Sequence, residues 1–241
     1  VEAAIDAVRL LVNLHKLAKQ FMIEAGQFAA RPGLYLAFFS SYDYLDQVFA
    51  LLREQHPDLP CWEQQRQIAQ QRSAGTLPDT LLVLEHPHTY TLGRTTRQEH
   101  VLITQTELEA EGIACYAIDR GGDITYHGPG QIVVYPILKL SHYGADVLGY
   151  LRMLEEVIIV ALMGYGIHGV REPGLTGVWV GQEKIAAIGV KLSASGVTMH
   201  GFALNVNPDL RYFQRIVPCG IADRTVTSMA QLLGKAPAQP E

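Results

Sequence analysis

The sequence predicts an α/β domain of the α+β type, and three observations support this. Short apolar runs separated by turn residues begin at Leu81 and indicate β-strands. One long segment, Ala145–Tyr165, carries apolar residues at a period near 3.6 and therefore predicts an α-helix. No internal repeat is evident, and strands and helices follow one another at unequal spacing. Mixed elements of this kind favour an α+β or α/β domain over an all-β or all-α fold.

Local sequence signals place the remaining elements. A first helical pattern starts near Trp62 and ends before Gly75. A short last helix opens at Thr227 or Ser228, because Ser228 and Gln231 have the spacing of a capping box. The apolar run Leu34–Phe39 is compatible with a strand. The other strands are predicted at Leu81–Glu85, Tyr90–Leu92, Ile113–Ile118, Ile132–Leu140, Gly177–Val180, Ile185–Leu192 and Val197–Val206.

The overall composition limits the classes of function. The chain has 241 residues, 48% of them apolar and 18% charged, which is typical of an ordinary globular protein. Its net charge of −5 gives no global electrostatic reason to bind nucleic acid or anionic lipid. Three widely spaced cysteines indicate a reducing compartment. Because no membrane span or signal peptide is recognised, we expect a cytoplasmic protein.

Several well-known motifs are absent or out of context. The segment Gly164–Gly169 matches the dinucleotide pattern G-x-G-x-x-G, but it follows a helix instead of a strand and is interpreted as a helix stop. The sequence has no phosphate-binding P-loop, no G-x-S-x-G and no H-E-x-x-H. These absences remove NAD enzymes, P-loop NTPases, α/β-hydrolases and zincins as first choices.

Three segments carry the residues best suited to chemistry. Arg120–Gln131 has two glycine pairs around a short polar strand, and it fits either a ligand-lining loop or a solvated hairpin. Glu183–Gly189 places Lys184 before small apolar residues, where a surface lysine is the alternative. Ile216–Ile221 places Cys219 between proline and glycine. An unperturbed thiol there is only a few per cent thiolate at pH 7, so a nucleophilic Cys219 needs a cation or base beside it. A small apolar residue in a turn is its alternative.

Together with two further segments, these motifs resemble the lipoyl(octanoyl) transferase family. The matching text is Leu84–Arg94, Arg120–Gln131, Lys184–Gly189, His200–Asn205 and Pro218–Ile221, in the family's order and at about its spacing. The resemblance covers roughly residues 62–234. It implies a mixed β-sheet with flanking helices, like the catalytic domain of biotin and lipoate protein ligases. It also implies three regions: an N-terminal extension at 1–58 without an assigned structure, an octanoyltransferase domain at 59–235 and a tail at 236–241.

The resemblance also implies roles for individual residues. Cys219 matches the acyl-thioester nucleophile, and Lys184 matches the lysine that lowers the pKa of that cysteine. His86 and His200 match family histidines around the pocket. The substrate-binding positions are Arg120, Gly121, Gly122, Asp123, Ile124, Thr125, Tyr126, His127, Ala187, Ile188, Gly189, Gly201, Phe202 and Ala203. From the residues themselves, Ile185, Ala186 and Val217 are expected to wall an apolar slot for the acyl chain.

The implied reaction is the transfer of an octanoyl group from octanoyl-acyl carrier protein to a lysine of lipoyl domains. The implied acceptors are the lipoyl domains of 2-oxoacid dehydrogenase complexes and the glycine cleavage H protein, and no nucleic acid or membrane partner is expected. No metal and no cofactor are implied, and ATP is not needed because the donor thioester is already activated. The alternatives are an ATP-dependent lipoate or biotin protein ligase and a catalytically silent lipoyl-carrier-binding module on the same scaffold.

Overall fold

The computed structural model describes residues 36–37, 61–217 and 224–234. Within these ranges the chain forms nine strands and four α-helices. The helices are α1 (Cys61–Ser73), α2 (Gln105–Glu111), α3 (Val147–Met163) and α4 (Met229–Leu233). The strands are β1 (Leu36–Ala37), β2 (Thr80–Leu84), β3 (Thr89–Leu92), β4 (Ala114–Ala117), β5 (Thr125–His127), β6 (Gln131–Ile137), β7 (Val178–Val180), β8 (Glu183–Leu192) and β9 (Thr198–Asn205).

The strands form two separate sheets. The larger has the order β1-β2-β6-β9-β8-β7 and is antiparallel except for the β1–β2 pair. The smaller has the order β4-β3-β5, with β3 parallel to β4 and antiparallel to β5. Leu36 and Ala37 pair with Leu81 and Leu82, so part of the predicted N-terminal extension supplies an edge strand.

Side-chain capping explains where three of the helices begin. Asp146 caps α3 by accepting a hydrogen bond from the backbone N–H of Gly149. Ser228 caps α4 in the same way, accepting from Gln231, as the capping-box spacing predicts. Helix α2 was not predicted. It begins at a reciprocal capping box between Thr104 and Glu107, and it buries only one side chain, so its sequence shows little apolar periodicity.

Each sheet has its own hydrophobic core. Helix α3 packs its buried residues, including Leu154, Ile158 and Leu162, on one face of the larger sheet. The smaller sheet packs Tyr90, Ile124 and Tyr126 against α2 and a 3-10 turn at Leu210–Arg215. Burying a leucine or isoleucine of this kind contributes roughly 2 kcal/mol. No helix in the described ranges is long and apolar enough to cross a bilayer.

The structure confirms the predicted strands and helices to within a few residues. The interpretation of Gly164–Gly169 as a helix stop is also confirmed, because α3 ends at Met163 and Gly164 is its C-cap. The tail at 236–241 and most of the segment 1–58 lie outside the described residues.

Candidate active site

A narrow slot of about 60 Å³ lies between the two sheets. Its walls come from most of the motif Arg120–His127, from both ends of the motif Lys184–Gly189, from Gly201–Ala203 and from strand β6. Most of the predicted site residues meet here: Arg120, Gly122, Asp123, Ile124, Thr125, His127, Lys184, Ala187, Ile188, Gly189, His200, Gly201, Phe202 and Ala203. Val133 and Tyr135 of β6 complete an apolar section of the wall.

The loop that carries Arg120 is fixed to both sheets. Arg120 is buried and donates to the backbone oxygen of Thr91 at 2.7 Å and to the Thr91 hydroxyl oxygen at 3.0 Å. The N–H of Gly121 donates to the backbone oxygen of Val190 on β8, with 3.0 Å between the two atoms. Asp123 accepts from the N–H of Ile124 and pairs with the ring of His100. The hydrogen bonds from Arg120 to Thr91 therefore hold the loop in position at the slot.

Two glycines allow close backbone approaches at the slot, Gly189 to the loop and Gly201 to strand β6. Gly189 and Gly201 are direct partners across β8 and β9. A Cβ atom at Gly189 would lie 2.9 Å from the backbone oxygen of Gly121, and one at Gly201 would lie 2.0 Å from the backbone oxygen of Val134. Because backbone atoms cannot rotate away as a side chain does, any larger residue would displace the loop or the neighbouring strand. The slot depends on glycine at both positions.

Lys184 is buried at one side of the slot, and its backbone is fixed by the chain that returns from the Cys219 segment. Its N–H donates to the backbone oxygen of Thr225 at 2.9 Å, and its oxygen accepts from Thr227 at 3.0 Å. The Lys184 Nζ atom lies 4.7 Å from the centroid of the Trp179 ring. An aromatic face attracts a cation, so the fully buried Trp179 offsets part of the cost of burying an ammonium group.

A second cation lies on the same tryptophan. The guanidinium carbon of Arg224 is 5.6 Å from the centroid of the Trp179 ring, and Arg224 pairs with Glu172 at 2.9 Å. Arg224 is the first described residue after the Cys219 segment. The Trp179 ring therefore lies close to two cationic side chains, those of Lys184 and Arg224.

Cys219 itself lies outside the described residues. On the N-terminal side, the described chain ends at Val217, whose N–H donates to the backbone oxygen of His100 at 2.9 Å. Of the other cysteines, Cys115 is half-buried and free, and burial raises the pKa of its thiol. A thiol with a raised pKa is a poor nucleophile at neutral pH, so Cys115 is suited to a structural role.

Two histidines belong to a buried network at the wall of the slot. The His86 Nε2 atom is 2.7 Å from the Tyr135 hydroxyl oxygen, and the rings of His86 and His127 have centroids 5.5 Å apart. The His127 Nδ1 atom is 2.8 Å from the Gln131 side-chain oxygen, so this nitrogen carries the hydrogen. Burial lowers the pKa of His86 to about 4 and, with repulsion from His86, that of His127 to about 3. Both rings are neutral at physiological pH.

This network predicts a loss of folding stability in mild acid. Histidines in the unfolded chain bind protons below about pH 6.5, whereas His86 and His127 in the folded protein do not until pH 4 to 3. Their contribution is complete above pH 6.5 and is lost as the pH falls through that window. Urea unfolding at pH 7.5, 6.0 and 5.0 should show the unfolding free energy falling by an amount that approaches about 2.7 kcal/mol per pH unit in the acid part of the range, half of it from each histidine.

The matched variants separate this effect from general acid sensitivity. His127→Gln should reduce the slope by about 1.4 kcal/mol per pH unit, because one titrating group is removed. The exposed His168 supplies the control, and His168→Gln should leave the slope unchanged. An unchanged slope in His127→Gln would contradict the burial argument.

His200 has an unusual backbone at the mouth of the slot. Its φ of 57° lies in the left-handed region, which is strained for a residue other than glycine. Two contacts hold it there: its N–H donates to the Gln65 side-chain oxygen at 3.1 Å, and its Nε2 atom lies 2.8 Å from an Asp119 oxygen. Burial lowers the pKa of His200 despite the Asp119 carboxylate. The ring is therefore neutral, with its hydrogen on Nε2 and Nδ1 left as an acceptor.

Some predicted residues are not part of the slot wall. The Tyr126 side chain points into the core of the smaller sheet, where its hydroxyl oxygen is 2.7 Å from the His88 Nδ1 atom. Gly121 acts through its backbone, and His86 contributes through Tyr135. Ile185 and Ala186 were expected to wall the slot, and this is wrong: both are fully buried in the α3 core. Val217 is not among the slot-lining residues either.

Comparison with known proteins identifies the family. The family described as lipoyl protein ligase A/B catalytic domain matches residues 59–241. The octanoyltransferase of Chloroflexus aggregans is 62% identical over 182 residues, which are 75% of this chain and 82% of that protein. The chain belongs to the octanoyltransferase family. The octanoyltransferase of Roseiflexus sp. is 57% identical over 179 residues, or 73% of this chain and 75% of that protein. The predicted family is confirmed.

Solved structures confirm the fold of this octanoyltransferase family member. A bi-partite lipoate protein ligase from Thermoplasma acidophilum has a TM-score of 0.52 at 14% identity and covers 73% of this chain and 72% of its own. A lipoate-protein ligase A bound with ATP has a TM-score of 0.53 at 16% identity, covering 69% of this chain and 72% of its own. At these identities the likeness establishes the architecture alone, and the chemistry has to be argued from the site.

Proposed function

We propose that this protein transfers an octanoyl group from octanoyl-acyl carrier protein to a lysine of lipoyl domains. The octanoyl group is held in between as a thioester on Cys219, with Lys184 as the group that exchanges protons with the sulfur and with the acceptor amine. The observation that carries the proposal is the buried Lys184 at the slot, hydrogen-bonded through its backbone to Thr225 and Thr227. That the transferred group is octanoyl is inferred from the relatives named octanoyltransferase.

Lys184 is buried, and its Nζ atom lies over the face of the Trp179 ring, which attracts a cation. A neighbouring ammonium stabilises a thiolate, because opposite charges in a poorly solvated site attract strongly. A thiol that is mostly protonated in water thereby becomes a nucleophile.

The proposed reaction has two half-reactions. First, the Cys219 proton moves to Lys184, the thiolate forms a bond to the donor carbonyl carbon, and the carrier sulfur leaves and takes the proton back from Lys184. Second, the neutral acceptor amine attacks the new thioester, the carbon–sulfur bond to Cys219 breaks, and the proton that the amine loses passes through Lys184 to the Cys219 sulfur. The second half-reaction thus returns both residues to their starting states. No ATP is consumed, because the donor is already an activated thioester.

The slot accommodates the acyl chain. Val133, Ala187, Ile188, Phe202 and Ala203 line it with apolar surface. His127 on the same wall is neutral, whereas Arg120, Asp123 and Lys184 supply its charged groups. An apolar chain is therefore expected to lie along the apolar residues, away from the charged groups.

Intact-protein mass spectrometry tests the proposal. Purified protein is mixed with octanoyl-acyl carrier protein, without ATP and without acceptor. We expect a single octanoyl adduct that is absent in Cys219→Ser and disappears when a lipoyl domain is added. The matched control is Cys115→Ser, which should form the adduct at the wild-type rate. Transfer that appears only with ATP and free fatty acid would instead identify an ATP-dependent ligase, and binding without transfer would identify a silent module.

A further inference from the structure

Two buried amide side chains, Gln131 and Asn205, stand at the ends of the motifs Arg120–Gln131 and His200–Asn205, and the proposed reaction gives neither a role. Gln131 begins β6 and Asn205 ends β9, and the two residues are register partners in the larger sheet. Both are almost completely buried. Buried amides are normally hydrogen-bonded through both oxygen and nitrogen, because an unpaired polar group costs free energy.

Hydrogen bonds connect these amides to the slot on one side and to Lys184 on the other. The His127 Nδ1 atom is 2.8 Å from the Gln131 Oε1 atom, and the Gln131 Nε2 atom donates to the Asn205 Oδ1 atom at 2.9 Å. The Asn205 Nδ2 atom donates to the backbone oxygen of Thr227 at 3.0 Å. The Thr227 N–H in turn donates to the backbone oxygen of Lys184 at 3.0 Å. The five residues thus form one continuous buried chain of hydrogen bonds.

Backbone oxygens fix the orientation of both amides. A carbonyl oxygen only accepts, so the Asn205 atom that faces Thr227 has to be its nitrogen, and the Asn205 oxygen faces Gln131. The Gln131 atom that faces this oxygen also lies 3.3 Å from the backbone oxygen of Tyr126, so it is the nitrogen as well. The Gln131 oxygen is left for His127, whose Nδ1 atom therefore carries the hydrogen. In the neutral ring, Nε2 is then an acceptor.

We propose that Gln131 and Asn205 are positioning residues for acyl transfer. At one end they hold His127, which lines the slot, as the Nδ1–H tautomer. At the other end they hold the backbone of Lys184 through Thr227. The second role rests on the proposed function, whereas the first does not. Positioning has a large effect, because a displacement of about 1 Å can cost a catalytic group about two orders of magnitude in rate.

Nitrogen NMR of the full chain with labelled histidine tests the tautomer, because it distinguishes a ring nitrogen that carries hydrogen from one that does not. We expect His127, assigned with His127→Gln, to carry its hydrogen on Nδ1. Gln131→Met removes the acceptor with little change in volume, so the Nε2–H form should appear. In Asn205→Leu the Tyr126 oxygen still orients Gln131, so the tautomer should be unchanged. Wild-type His127 signals in Gln131→Met would overturn the inference.

Rapid mixing with octanoyl-acyl carrier protein, followed by mass spectrometry, tests the role toward Lys184. Asn205→Leu removes the donor to the Thr227 oxygen, so we expect the maximal rate of acylation to fall about tenfold. The donor concentration that gives half this rate should change less than about twofold, because no slot-lining side chain is altered. Gln131→Met breaks the same chain one bond earlier and should also slow acylation. Circular dichroism checks that both variants fold.

A matched variant controls for the loss of a buried hydrogen bond. Thr198 is also buried and begins β9, and its hydroxyl donates to the backbone oxygen of Pro136 at 2.7 Å. Thr198→Val should keep the wild-type acylation rate and the wild-type His127 signals. Wild-type acylation in Asn205→Leu, or equal slowing by Thr198→Val, would overturn the role toward Lys184. Absence of an octanoyl-enzyme in the wild type would instead overturn the proposed function, and the tautomer would still be decided by NMR.

Discussion

The Lys184→Ala variant is expected to form the octanoyl-enzyme about 10³-fold more slowly than the wild type at pH 7. Without the ammonium group, Cys219 reverts to a thiol that ionises near pH 8.5. The rate of the variant should therefore rise about tenfold per pH unit up to that value, whereas the wild-type rate should change little. Rapid mixing with octanoyl-acyl carrier protein, quenching and mass spectrometry measure the pH dependence of acylation for both proteins.

The Lys184→Arg variant separates the two roles assigned to the lysine. Arginine keeps a positive charge that stabilises a thiolate, but it does not release or accept a proton in proteins. We expect partial retention of acyl-enzyme formation and a greater loss of transfer to the lipoyl domain. Circular dichroism of both variants checks that they fold. Wild-type acylation rates in Lys184→Ala would contradict the proposed role of Lys184 and show that Cys219 reacts without it.

The Gly201→Ala variant is expected to lose about 3 kcal/mol of unfolding free energy, a large fraction of the stability of a domain. The added Cβ atom would lie 2.0 Å from the backbone oxygen of Val134, so β6 and β9 have to separate. These strands form the centre of the larger sheet. Urea unfolding at pH 7.5 gives the difference from the wild type.

Two further glycine variants calibrate this effect. Gly189→Ala places its Cβ atom 2.9 Å from the Gly121 oxygen, so we expect a smaller loss of stability accompanied by slower acylation. Gly164→Ala serves as the control. Its φ is −60°, and its Cβ atom would lie 3.3 Å from the nearest backbone oxygen, so we expect a change within about 0.5 kcal/mol. Equal stability of Gly201→Ala and Gly164→Ala would refute the close-approach argument.

The elements that the sequence predicts are those with local signals. Helix α3 follows from its 3.6-residue period, and α4 follows from the Ser228 cap. The division of the strands into two sheets has no local signal, because it depends on pairings between distant segments. Strand β3, for example, pairs with β5, more than thirty residues later in the chain. Helix α2 had a usable signal in the Thr104–Glu107 capping box.

The site was predicted through motifs, and its supporting residues were not. Tyr126 could have been assigned to the core from the sequence, because alternate residues of a strand face opposite sides and both of its neighbours line the slot. Trp179, Asp119 and Gln65 gave no signal. Gln65 and Asp119 hydrogen-bond His200, and Trp179 contacts the Lys184 ammonium group. The two members of each pair lie on different elements, so only the folded chain brings them together.

The small residues of β8 and β9 limit how the length of the slot can be changed. Ala187 and Ala203 line it with no atom beyond Cβ, so a larger side chain at either position fills space, whereas Gly189 and Gly201 do not tolerate a side chain. Shorter acyl specificity should thus be accessible by a single mutation on β8 or β9. Longer specificity has to be sought by trimming Val133, Tyr135 or Ile188. Evolution toward shorter and longer chains would therefore begin from different sets of residues in the same small cavity.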